Sequence, residues 1–120
     1  MTPESVVQRQ LDAYNARDLN ALLDVYASDA EVYEHPSTLV AKGVESLRAR
    51  YSERFREPNL HAQLVSRVVL GSTVVDHEIV TRTFSEGPGT IELVMIYEVA
   101  GSHIAKAWTI AGLKRVFHPS

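Results

Sequence analysis

The chain has 120 residues, of which 45% are hydrophobic and none is cysteine, and it carries a net charge of −3. That length suits a single domain over residues 1–120, which can bury roughly two thirds of its extended surface without metal or disulfide staples. The missing cysteine excludes disulfides, thiolate nucleophiles and Cys-based metal sites, and an isoelectric point near 5.9 argues against a nucleic-acid binder.

No apolar run approaches the ~20 residues of a membrane span. The opening Met1-Thr2-Pro3-Glu4-Ser5 lacks the basic and apolar blocks of a secretion signal, so the cytoplasm is the expected location. Thr2 is placed to cap a first helix with Pro3 at its first position, where a missing N–H costs nothing. Val7, Leu11 and Tyr14 then recur at helical spacing. Asn15-Ala16-Arg17-Asp18 reads as a break, with Asp18 capping a second helix whose stripe is Leu19, Leu22, Leu23 and Tyr26. Ser28-Asp29 is expected to end that helix, and Ala30 to His35 is extended until Pro36 stops it. After Gly43 a third helix carries Val44, Leu47, Tyr51 and Phe55 on one face and ends at Pro58-Asn59.

The period then changes. Leu60–Leu70, Thr73–Phe84, Thr90–Ala100 and His103–Val116 are rich in β-branched and aromatic residues. Gly71-Ser72, Gly87-Pro88-Gly89 and Gly101-Ser102 separate them, so they read as an antiparallel meander. The whole predicts an α+β domain with its helices gathered on one face of the sheet. Alternation along each strand then divides the two faces. Ile91, Leu93, Met95, Tyr97 and Val99 form an apolar set expected to meet the helices. Val75, His77, Ile79 and Thr81 are expected beside them, with Asp76, Glu78 and Arg82 outside. In the last strand Ala105, Ala107, Thr109 and Ala111 would leave space for a concave pocket. Ile104, Trp108 and Ile110 would join Val94 and Ile96 in an outer apolar patch, the mark of a two-fold interface.

Two histidines stand out. His35 ends the short strand before Pro36, and an imidazole can serve as acid or base near neutral pH. His77 alternates with apolar residues, so parity places it inside, where Tyr14, Tyr51 or Tyr97 could satisfy it. Gln10, one turn before Tyr14, could hold a ligand carbonyl. His61, His103 and His118 lack metal-ligand spacing, so no metal is expected, and acid–base chemistry of this kind implies no organic cofactor. The basic and acidic residues of the third helix (Arg48, Arg50, Arg54 and Arg56 against Glu45, Glu53 and Glu57) read as a solvated, salt-bridged face.

Several segments carry a family resemblance. They are Val7-Gln8-Arg9-Gln10-Leu11, Tyr14-Asn15-Ala16-Arg17-Asp18-Leu19 and Val25-Tyr26-Ala27-Ser28-Asp29-Ala30-Glu31-Val32. Gly43 with Leu47-Arg48-Ala49-Arg50-Tyr51, and a final strand bearing Trp108, complete the set. Together they resemble the nuclear transport factor 2-like superfamily, in its SnoaL-like and ketosteroid-isomerase-like branch, over the whole chain. The resemblance implies a cone: three helices closing over a curved antiparallel sheet whose concave face lines a pocket for a small apolar ligand, with many members pairing through the outer face. Ketosteroid isomerases use a carboxylate base, a tyrosine and a protonated aspartic acid. Those positions fall at His35, Gln10 and near Met95, so all three groups are replaced, while supporting tyrosines match Tyr26 and Tyr51.

The expected catalytic candidates are therefore His35, His77 and Tyr51. The helices are expected to contribute Gln10, Tyr14, Tyr26 and Phe55 to the pocket. The sheet would add Ile79, Met95, Tyr97, Ala107 and Thr109. Two functions fit: a cofactor-independent acid–base enzyme (isomerase, cyclase, dehydratase or hydrolase) on a lipophilic carbonyl or hydroxyl compound, or a non-catalytic dimeric ligand-binding module.

Overall fold

The computed structural model describes residues 1–117, as three helices over one six-stranded sheet. Helix α1 spans Pro3–Ala16, and Thr2 Oγ1 caps it by accepting the Ser5 N–H at 3.1 Å. A cap of this kind contributes about 1 kcal/mol. Arg17 ends the helix in the left-handed conformation (φ 55°) and returns its N–H to the carbonyls of Ala13 and Tyr14. Asp18 caps α2 (Leu19–Val25) through the Ala21 N–H at 3.1 Å. This helix stops before Ser28-Asp29, because Tyr26 is already extended and opens strand β1 (Tyr26–Glu34). Strand β2 (Thr38–Lys42) folds back on β1 and leads through Gly43 into α3 (Val44–Arg54).

The predicted meander follows as β3 (His61–Leu70), β4 (Thr73–Phe84), β5 (Gly87–Ala100) and β6 (His103–Val116). The strand order is β2-β1-β6-β5-β4-β3. Every pairing is antiparallel except β1 on β6, which is parallel, so the sheet is mixed. Val6, Val7 and Leu11 of α1, Leu22 and Leu23 of α2, and Leu47 and Tyr51 of α3 all turn inward. They bury against Val74, Tyr97, Val99 and Ile104 of the sheet, each aliphatic side chain contributing about 1.5–3 kcal/mol.

Register decides what this face carries. The β4–β5 hairpin turns on Ser85-Glu86, with Phe84 opposite Gly87, and not on Gly87-Pro88-Gly89. Gly89 is instead a strand residue where β5 and β6 come close: a Cβ there would overlap the Arg115 carbonyl. Residues directly opposite in an antiparallel pair share a face. Val74 lies opposite Tyr97, Asp76 opposite Met95, Glu78 opposite Leu93 and Val80 opposite Ile91. The expected faces of β4 are therefore reversed. Asp76, Glu78 and Val80 are buried on the concave side, and Val75, His77 and Ile79 lie on the outer side.

A second irregularity divides β6. Val99 opposes Ile104, yet Glu98 opposes Lys106, so Ala105 is an extra residue that flips the alternation. Ile104 therefore sits fully buried in the core and not on the outer patch. Beyond the bulge Thr109 and Ala111 face the concave side and Trp108 the outer one, as expected.

Candidate active site

A cavity of about 400 Å³ lies between the helices and the concave face. Its depth follows from burial. Gln10 of α1, Glu78 of β4 and Tyr97 of β5 are buried at its floor. Arg50 and Arg54 of α3 and Arg82 of β4 are half-buried on its approach, and Glu34 and His35 line its exposed end. Val80, Leu93 and Met95 supply apolar wall between floor and approach.

Glu78 is the chemical anomaly. It is 5% exposed and lines the cavity, yet its carboxyl makes no hydrogen bond or ion pair with any described residue. Burial is the largest cause raising its pKa to about 7; the nearby Asp76 carboxylate adds to the rise and Arg67 opposes it. Asp76, two residues earlier on the same face, is handled differently. Arg67 of β3 grips both its oxygens, Nε to Oδ1 at 2.7 Å and Nη2 to Oδ2 at 2.9 Å, and donates through Nη1 to Gln8 Oε1 at 2.8 Å. One buried carboxylate thus has a bidentate counter-ion, and its neighbour faces the cavity with none.

Hydroxyls surround the floor. Tyr97 donates to Gln10 Oε1 at 3.1 Å, and burial pushes the Tyr97 and Tyr26 hydroxyls well above the ordinary tyrosine range, so both remain protonated. The buried Tyr26 hydroxyl, close to Tyr51 and Gln10, has no hydrogen bond of acceptable geometry among the described residues. On the approach, Glu57 accepts from Arg82 at 3.1 and 2.6 Å and from the Thr83 N–H at 2.9 Å, with Arg54 Nε 3.9 Å away. Arg54 also donates to the Tyr14 hydroxyl at 3.3 Å. Arg50 has no ion pair among the described residues.

The structure gathers some of the expected residues and separates others. His35, Tyr51, Gln10, Tyr14, Met95, Tyr97 and Thr109 line the cavity. His77 does not: it lies on the outer face, Nε2 2.7 Å from Glu92 Oε2. Ile79 follows it outside for the same reason of register. Tyr26 and Ala107 are core residues rather than lining, and Phe55 packs edge-on against Tyr14 at 5.7 Å without reaching the cavity. Arg50 and Arg54, expected on a solvated face, and Arg82 and Glu78, expected outside, all line the cavity. Of the outer patch, Val94, Ile96 and Trp108 are part-exposed, with Tyr33 stacked on Trp108 at 5.7 Å. Ile110 sits at its edge and also reaches the cavity. His118 lies outside the described residues. Among those residues no three His, Asp or Glu side chains converge as a metal site. No helix among them is long and apolar enough to cross a membrane.

Three helices closing a six-stranded sheet over a side-chain-lined cavity define the cone of the cystatin-like, nuclear transport factor 2-like fold. Within it the chain belongs to the SnoaL-like domain family, whose profile matches residues 7–107. An uncharacterised cystatin-fold protein of Novosphingobium aromaticivorans superposes with a TM-score of 0.85 at 24% identity, covering 92% of this chain and 98% of its own. A ketosteroid-isomerase-like protein of Catenulispora acidiphila, solved with trimethylamine, gives 0.76 at 18% identity, with coverage of 91% and 85%. A proposed polyketide cyclase of Sinorhizobium meliloti gives 0.73 at 21%, with coverage of 88% and 93%. At these identities the likeness carries the fold alone. No curated protein matches the chain by sequence.

Proposed function

We propose that the chain is a cofactor-independent acid–base enzyme in which the Glu78 carboxyl transfers a proton to or from a small lipophilic carbonyl or hydroxyl compound held in the cavity. The observation that carries this reading is a buried carboxyl facing an open cavity with no hydrogen-bond or ion-pair partner among the described residues. Such an arrangement lowers stability and has a use when a substrate completes it. A group titrating near neutrality is present in both protonation states at pH 7, so it can accept a proton in one step and return it in the next. Tyr51 and Gln10 line the same cavity and would hold a substrate oxygen, and His35 would serve as a further acid or base at its exposed end. Isomerisation, cyclisation, dehydration and hydrolysis all draw on this set.

A non-catalytic dimeric ligand-binding module is the competing reading, favoured by the replacement of all three ketosteroid isomerase groups at Gln10, His35 and Met95. In either case the part-exposed Val94, Ile96 and Trp108 support pairing of two copies through the outer sheet face. The experiment that separates the readings is exchange of the α-protons of 2-tetralone in D2O, followed by NMR. Exchange above the buffer rate that Glu78→Gln removes is the expected result. No exchange above buffer, or exchange unchanged in the variant, refutes the enzymatic reading.

A further inference from the structure

The cavity is polar at both ends and apolar between them. Glu78 lies at the floor. Four residues further along the same strand Arg82 lies on the approach, about 13 Å away at the rise of a β-strand. Arg50 and Arg54 face the same space from α3. Among the described residues one carboxylate serves these three guanidiniums directly. Glu57 binds Arg82 through both oxygens and approaches Arg54, which leaves Arg50 half-buried, cavity-lining and unpaired among the described residues. Glu34, the other acidic residue on the lining, is exposed and is not within ion-pair distance of any of the three.

We infer that the substrate carries a carboxylate, which Arg50 binds on the approach while the apolar body fills the middle of the cavity and the reacting carbon reaches Glu78. This rests on reading the cavity as a substrate site and adds the substrate's class to it. A planar guanidinium fork matches a carboxylate's two oxygens, and a half-buried site strengthens the pair relative to one in open water. The Arg82–Glu57–Arg54 set contributes a net positive charge to the same approach. Arg50 is thus a specificity-determining residue that never touches the reacting atoms.

The test is calorimetric binding of naphthalene-2-carboxylate and of uncharged naphthalene-2-carboxamide, at low ionic strength. Wild-type protein is expected to bind the carboxylate about tenfold more tightly, the value of one charged contact near 1.4 kcal/mol. Arg50→Gln should erase that preference and leave carboxamide affinity unchanged, which also reports an intact cavity; Arg50→Lys should restore part of it. Equal affinities in the wild type, a preference that survives Arg50→Gln, or failure of the carboxylate to bind at millimolar concentration each overturns the inference. None of these outcomes involves turnover, so they leave the proton-transfer role of Glu78 to be judged by the exchange experiment.

Discussion

Replacing Glu78 by Gln should make the protein more stable at alkaline pH and remove a pH dependence that the wild type displays. The carboxyl titrates near 4.5 when unfolded and at about 7 when folded, where burial disfavours its ionised form. Between those values the native chain holds a proton that the unfolded chain has released, so stability falls as pH rises. The contribution is complete below about 4.5 and is lost as pH climbs through about 7. At 1.36 kcal/mol for each tenfold change in proton affinity, the loss amounts to about 3 kcal/mol, most of it between pH 5 and 8. For a domain of this size that lowers the melting temperature by about 10 °C. The carboxylates whose pKa is depressed, Glu31, Glu57 and Glu86, act with the opposite sign and on the acid side of this window. Urea denaturation of the wild type and Glu78→Gln at half-unit intervals from pH 5 to 9 measures the effect. Curves that run parallel across the window would refute the account of Glu78 as an uncompensated buried carboxyl.

Arg67→Met should cost about 3–5 kcal/mol in urea denaturation at pH 7, because it strands the fully buried Asp76 carboxylate, whereas Arg67→Met with Asp76→Leu should recover most of that loss. Asn15 ties the end of α1 to β3, accepting the Ala62 N–H at 2.8 Å and donating to the Ala62 carbonyl at 2.9 Å; Asn15→Ala should destabilise by about 1–3 kcal/mol. Tyr26→Phe removes a buried hydroxyl that has no hydrogen bond among the described residues and should leave the melting temperature equal or higher; a loss above about 1 kcal/mol would show the hydroxyl to be satisfied. Trp108→Glu should convert the expected dimer to a monomer in light scattering at micromolar concentration, with an unchanged circular dichroism spectrum.

Local chemistry alone settled much of this protein. Thr2 and Asp18 cap their helices because a side-chain oxygen one position before a helix has few better partners than the free N–H groups ahead of it. The stripe of α1, those of α2 as far as Leu23 and of α3 as far as Tyr51, and the ends of β4 and β6 follow from periodicity, and the motifs of α1 to α3 marked the family. Gln10, Tyr14, Tyr51 and Tyr97 were legible as candidate lining because helical spacing or strand alternation fixed their side. The electrostatics of the site were not legible, and the cause is register. Moving the β4–β5 turn from Gly87-Pro88-Gly89 to Ser85-Glu86 changes whether odd residues of one strand meet odd or even residues of the other. That single change exchanges His77 and Ile79 for Asp76 and Glu78. One extra residue at Ala105 likewise sends Ile104 into the core while leaving Trp108 outside. A strand's alternation is a local property, but which phase faces the core is fixed by its partners across the sheet. Periodicity and motif were therefore enough for the elements, the family and the tyrosines of the pocket. Strand pairing across the sheet was needed to bring Glu78 and three guanidiniums to that pocket and to leave His35 there without His77.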